Sequence, residues 1–218
     1  MIRLENISIK IENSRELLND INIFIPSGSL ISIKGKPGSG KTKFFNVLGL
    51  KEKASKGNLF ILGKNISKLN RNELSILHSE ISLVCEETDL IHNLGVKENI
   101  IFPLIITNKS KDEIETAVSE LVSWLNLNTI LKKKITELSN YEKKMIRFAR
   151  SIIFRPRVLL LDNFFTGLDI NYEKKISYLL LALKKIGTTI ISFSSKNNEK
   201  ILSYDESYEI QKSYLIKL

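Results

Sequence analysis

Gly35, Gly40, Lys41 and Thr42 stand at the spacing G-x-x-x-x-G-K-[ST] within "GKPGSGKT", residues 35–42. Glycines let successive backbone N–H groups curl around an anion, and a helix starting after them points its positive end at the same anion. The loop is completed by Lys36, Pro37, Gly38 and Ser39. In such a loop Lys41 reaches the β- and γ-phosphates of a nucleoside triphosphate, and the Thr42 hydroxyl sits on Mg²⁺. A second chemical group lies far downstream, where the apolar run "RVLLLD" ends in Asp162. A carboxylate at the end of a buried strand, in a chain with a phosphate loop upstream, is placed to hold Mg²⁺ through its waters.

These groups need a strand before the loop, a helix after it, and a sheet that brings Asp162 alongside. Leu30, Ile31 and Ile33 supply the strand, and "FFNVLGL" supplies the apolar helix. Residues 1 to about 88 carry strands near 2–11, 21–25, 30–34, 57–62 and 81–85, with helices after Lys41 and near 70–79. From about 89 to 155 the pattern turns helical, with Ile114, Val118, Leu121, Val122 and Leu125 on one face. Trp124 is assigned to the core of that lobe, and His92 to a polar connection. Strand character returns at 157–162, followed by a helix near 171–186, "TTIISF" at 188–193 and two short terminal strands. The layout is an α/β core (1–88 and 156–218) interrupted by a helical insert (89–155), all one domain.

With 218 residues and 43% apolar content, the chain can bury a substantial core. Its single cysteine, Cys85, has no internal disulfide partner and is expected in a buried strand. "MIRLENISIKIEN" alternates like a strand and lacks a signal-peptide core, and "IIFPLII" is too short to cross a bilayer. The net charge of +9 is spread over lysine pairs and short runs without interleaved aromatics, which argues for a solvated basic surface ahead of contact with anionic lipid headgroups, and for either ahead of nucleic-acid binding. No metal-ligand cluster stands out beyond the Mg²⁺ site.

Read in order, "GKPGSGKT", "ISLVCEETDLIHNLGVKENIIFPLII", "ITELSNYEKKMIRFARSIIFRPRVLLLDNFFTGLD" and "TTIISFSS" resemble the ATP-binding subunits of ABC transporters. The length, the opening "MIRLENIS" and "NIIFPLII" resemble the branch containing FtsE and LolD. The resemblance implies a P-loop NTPase fold with a helical subdomain and an N-terminal antiparallel β portion. It also implies ATP and Mg²⁺ as ligands, dimerisation through the nucleotide face, and an integral membrane partner such as an FtsX-like permease. The chain would then be cytoplasmic, held peripherally on the inner face of the cell membrane. The family's docking groove maps near Glu86 to Ile101, with Leu90, Ile91 and Leu94 as apolar anchors.

Several positions depart from the family pattern. The water-polarising glutamate after the Walker B strand is replaced by Asn163, which cannot accept a proton as a carboxylate does. The switch histidine falls at Ser194 or Ser195, and the Q-loop glutamine at Glu86, a possible Mg²⁺ ligand and substitute acid. The signature reads "LSNYEKK", in which Asn140 and Tyr141 replace both glycines. Ser139 survives there, either as a contact to nucleotide or as a capping box with Glu142. The adenine-stacking aromatic aligns with Ile11, and Asp169 in "TGLD" matches an interface-crossing loop or serves as an ordinary turn acid. The expectation is an ATP-binding subunit of FtsE-like type with weak or no hydrolysis. The alternatives are a slow but active transporter ATPase for lipoprotein release or efflux, and a nucleic-acid-associated P-loop ATPase.

Overall fold

The computed structural model describes residues 1–10, 16–85, 89–195 and 202–218. In chain order its elements are β1 (Ile2–Lys10), β2 (Glu16–Ile25), β3 (Leu30–Gly35), α1 (Lys41–Leu48), β4 (Lys56–Ile61), β5 (Lys64–Asn65), α2 (Arg71–Ser79), β6 (Ile81–Val84) and α3 (Val96–Ile106). There follow α4 (Lys111–Leu125), α5 (Asn140–Ile152), β7 (Val158–Asp162), α6 (Ile170–Lys185), β8 (Thr189–Ser194), β9 (Glu206–Gln211) and β10 (Tyr214–Lys217). Two compact units result: Met1–Ser82 with Arg157–Leu218, and Leu83–Pro156.

The first unit carries an antiparallel sheet in the order β2-β1-β4-β5. Its strand β1 buries Ile2 and Leu4, then Ile7 and Ile9, so the buried parity changes midway. The change occurs at Asn6, whose φ of 51° marks a bulge between Leu4 and Ile7. The larger sheet runs β10-β9-β3-β8-β7-β6. In it β3 is parallel to both β8 and β9, and β7 is parallel to β8. Leu30, Ile31 and Ile33 of β3, Val158 to Leu161 of β7 and Ile190 and Ile191 of β8 are all fully buried. Continuous burial of this kind is what parallel strands covered on both faces require.

Register determines what the sheet delivers at its edge. Asp162 pairs with Phe193, Phe193 with Ile33, and Ser194 with Lys34. The carboxyl ends of β3, β7 and β8 therefore present Gly35, Asp162 and Ser195 side by side. Helix α1 is held on this sheet by aromatic edges: Phe193 meets Phe44 at 5.8 Å and Phe45 at 5.7 Å, both T-shaped. Each of these buried rings contributes about 2–3 kcal/mol of burial, so the start of α1 is anchored where the P-loop must end.

In the second unit, α3 buries Val96, Asn99, Ile100 and Leu104, and α4 buries Val118, Val122 and Leu125. Trp124 corrects the core assignment: it is 39% exposed, one position off the buried stripe of α4. Helix α4 ends at Asn126 in the left-handed conformation. Among the described residues no helix is long and apolar enough to cross a membrane.

Candidate functional site

The P-loop has the geometry of an anion cradle. Gly38 and Gly40 take φ of 78° and 97°, which side-chain-bearing residues rarely adopt. Nothing lies within 4 Å of where a Cβ at Gly38 would stand, so the loop is open on that side. The Ser39 Oγ is buried with no hydrogen-bond partner among the described residues. Gly40 precedes α1 without a side-chain cap, and no acid sits in the first turn. Orphan N–H groups, an unpaired hydroxyl and an uncapped helix start fit a phosphate chain.

Lys41 is 7% exposed and donates its Nζ to Gly35 O at 2.5 Å and Lys36 O at 3.0 Å. Burial pushes its pKa down, and the Asp162 carboxylate opposes that shift. Thr42 is exposed at the first turn of α1, and Asp162 is half-buried at the end of β7. A hydroxyl and a carboxylate, completed by phosphate oxygens and waters, suit Mg²⁺, which keeps much of its hydration. The bound ion would neutralise phosphate charge. The third expected ligand, Glu86, lies outside the described residues, as does Ile11.

Asn163 follows Asp162 with φ of 47° and donates its backbone N–H to Phe193 O at 2.8 Å. Its Nδ2 donates to Asp162 Oδ1 at 3.0 Å. Its Oδ1 accepts the Ser195 N–H at 3.2 Å and the Ser195 hydroxyl at 3.3 Å. Between the two switch candidates, it is Ser195 that meets Asn163, while Ser194 is buried within β8. Asp169 caps α6, accepting the N–H groups of Asn171 at 2.9 Å and Tyr172 at 3.1 Å.

The signature region belongs to the second unit. Ser139 forms a full capping box at the start of α5: Glu142 Oε2 accepts both its N–H and its hydroxyl at 2.8 Å, and Ser139 Oγ accepts the Glu142 N–H at 3.2 Å. Those hydrogen bonds hold the Glu142 carboxyl below its ordinary range, with the Ser139 backbone the largest cause.

Two features escape a reading of the sequence. Asn99 is 0% exposed and staples the segment before α3: its Oδ1 accepts the Ile91 N–H at 2.8 Å, and its Nδ2 donates to Ile91 O at 3.0 Å and Gly95 O at 2.9 Å. Arg150 supports the same segment by donating to Asp89 O at 2.9 Å. A polar residue among the apolar positions of "KENIIF" is the available signal. Leu90 corrects the docking expectation, because at 3% exposure it is core and offers no anchor, whereas Ile91 and Leu94 are half-buried. Helix α3 instead exposes the apolar side chains Phe102, Ile105 and Ile106.

Comparison with known proteins places these features in a wider group. A family model described as ABC transporter matches residues 18–166. The methionine import ATP-binding protein MetN of Clostridium acetobutylicum is 29% identical over 192 residues, covering 88% of this chain and 60% of that protein. The lipoprotein-releasing system ATP-binding protein LolD of Aquifex aeolicus is 32% identical over 192 residues, covering 88% of this chain and 85% of that protein. The chain thus spans less than two thirds of the MetN relative but most of the LolD relative. Among solved structures, the dimeric post-hydrolysis state of the ATP-binding cassette MJ0796 bound to ADP and Pi superposes with a TM-score of 0.88 at 25% identity, over 100% of this chain and 99% of that one.

Proposed function

The chain belongs to the ABC transporter family, and from that membership we propose that it is an ATP-binding subunit of an FtsE-like complex that grips ATP·Mg²⁺ and hydrolyses it weakly or not at all. One observation carries this reading: the Asn163 amide oxygen, at the position of the family's water-polarising acid, is engaged by both Ser195 donors. An amide cannot take a proton from water, and this one already has two donors. Lys41, Ser39 and the backbone of 35–42 hold the phosphates, while Thr42 and Asp162 hold the metal, with Glu86 a further candidate ligand. Phosphoryl transfer depends on positioning and electrostatics acting together, so loss of the acid, the switch histidine and the signature glycines removes turnover while sparing binding.

The likeness to a cassette solved as a dimer supports pairing through the nucleotide face. The relative named for lipoprotein release supports coupling to an integral membrane partner, of FtsX-like type in this proposal, which would hold the chain at the inner face of the membrane in a cell-division or envelope process. The exposed Phe102, Ile105 and Ile106 are the apolar surface in α3 that such a partner would cover. Titration of the purified protein with ATP·Mg²⁺, followed by a turnover assay on the same sample, tests the reading. Saturable binding without turnover supports it, and turnover at rates ordinary for the family favours an active ATPase of lipoprotein release or efflux.

A further inference from the structure

We propose that Asn163 is a positioning residue for Asp162, with Ser195 setting the orientation of its amide. The inference rests on reading the site as an ATP·Mg²⁺ cradle and deepens that reading.

An amide carries a donor and an acceptor at opposite corners of one short side chain. Here the acceptor corner takes two donors from Ser195, and the donor corner holds Asp162 Oδ1. Rotating the amide by half a turn would set Nδ2–H against the Ser195 N–H, which can only donate, and the carbonyl oxygen against the Asp162 carboxylate, although the Ser195 hydroxyl could turn to accept. The contacts with the N–H and the carboxylate would be repulsive, so Ser195 fixes which end of the amide faces Asp162. A glutamate or aspartate at 163 would still accept from Ser195, yet would present only acceptors to Asp162. Asn163, Asp162 and Ser195 therefore form a matched chain from the end of β8 to the metal-facing carboxylate of β7.

The backbone agrees. Asn163 sits at φ of 47°, a region that asparagine enters more readily than most residues with a side chain. Its N–H to Phe193 O ties the turn to β8 independently of the side chain. The amide is thus free to serve orientation of the carboxylate, and its removal should be felt where Asp162 meets Mg²⁺, with little effect where Lys41 and the P-loop meet phosphate.

The test is ATP affinity measured by calorimetry in MgCl₂ and in EDTA, for wild type, Asn163→Gly, Ser195→Ala and the double variant. Glycine keeps the left-handed turn while deleting the amide. The ratio of the dissociation constant in EDTA to that in MgCl₂ reports the metal's contribution. Loss of one hydrogen bond to a charged group should lower that ratio about fivefold or more in Asn163→Gly, with affinity in EDTA unchanged within about twofold. Ser195→Ala should lower the ratio less, because its N–H remains, and should add nothing in the double variant. An unchanged ratio in Asn163→Gly, or an undiminished Ser195→Ala effect on top of it, overturns the proposal. If Asn163→Gly does not fold, the single Ser195→Ala variant decides, and a ratio equal to wild type overturns it. Absence of ATP binding by wild type in both buffers would sink the cradle reading itself, and this inference with it.

Discussion

Ser195 donates its backbone N–H and its hydroxyl to Asn163 Oδ1, at 3.2 and 3.3 Å. Two departures from the family pattern, 32 residues apart, are therefore one contact. This matters for any attempt to restore turnover. Asn163→Glu would place a larger side chain at φ of 47° and set its charge beside Asp162. We expect Asn163→Glu alone to show little phosphate release. Measurable release is expected only when it is combined with Ser195→His, Asn140→Gly and Tyr141→Gly, since residues acting as one catalytic unit are not additive.

Gly40 tests the cradle through the backbone. Its φ of 97° is poorly accessible to alanine, whose Cβ would also stand 3.3 Å from Leu18 Cγ. Gly40→Ala should lower stability by about 1–2 kcal/mol and weaken ATP binding. Thermal unfolding and an ATP titration on the same variant check both effects, and an unchanged melting temperature would count against this loop geometry.

Asn99 should behave as structure. Asn99→Ala leaves the Ile91 N–H without its partner, while the Ile91 and Gly95 carbonyls each lose the side-chain donor and keep a backbone one, from Leu94 and from residue 99. We expect a loss of about 1–3 kcal/mol and faster hydrogen exchange at Ile91. Protection at Ile91 equal to wild type would show that the staple is dispensable.

Ser139 separates a cap from a nucleotide contact. Ser139→Ala should cost about 1 kcal/mol, Ser139→Asp should recover most of it, and ATP affinity of the isolated chain should follow neither. The folded Glu142 carboxyl is held low, so the cap's contribution is complete above the unfolded carboxylate pKa and is lost as pH falls through the depressed folded value. Acid unfolding of Ser139→Ala should accordingly lose part of its pH dependence in that window.

Much of the site is legible in the amino-acid sequence alone. The P-loop declares itself because its spacing is imposed by backbone geometry, and Asp162 because an apolar strand buried on both faces must end where its acid meets water. The Asn163–Ser195 contact is not legible there, since it depends on the pairing of Asp162 with Phe193 across β7 and β8. Leu90 and Trp124 mislead for a related reason. Apolar character alone does not say which side of a connection or helix is covered, and the buried stripe of α4 passes through Val122 and Leu125 beside Trp124.

Grip without turnover is read from phosphate release by wild-type protein whose ATP·Mg²⁺ binding has first been titrated, with Lys41→Ala as the control. Lys41 is the buried cation of the cradle, so its replacement should weaken ATP·Mg²⁺ binding at least tenfold, about 1.4 kcal/mol. Wild type should bind ATP·Mg²⁺ saturably and release phosphate no faster than Lys41→Ala. Robust release by wild type alone, abolished in Lys41→Ala, would contradict grip without turnover.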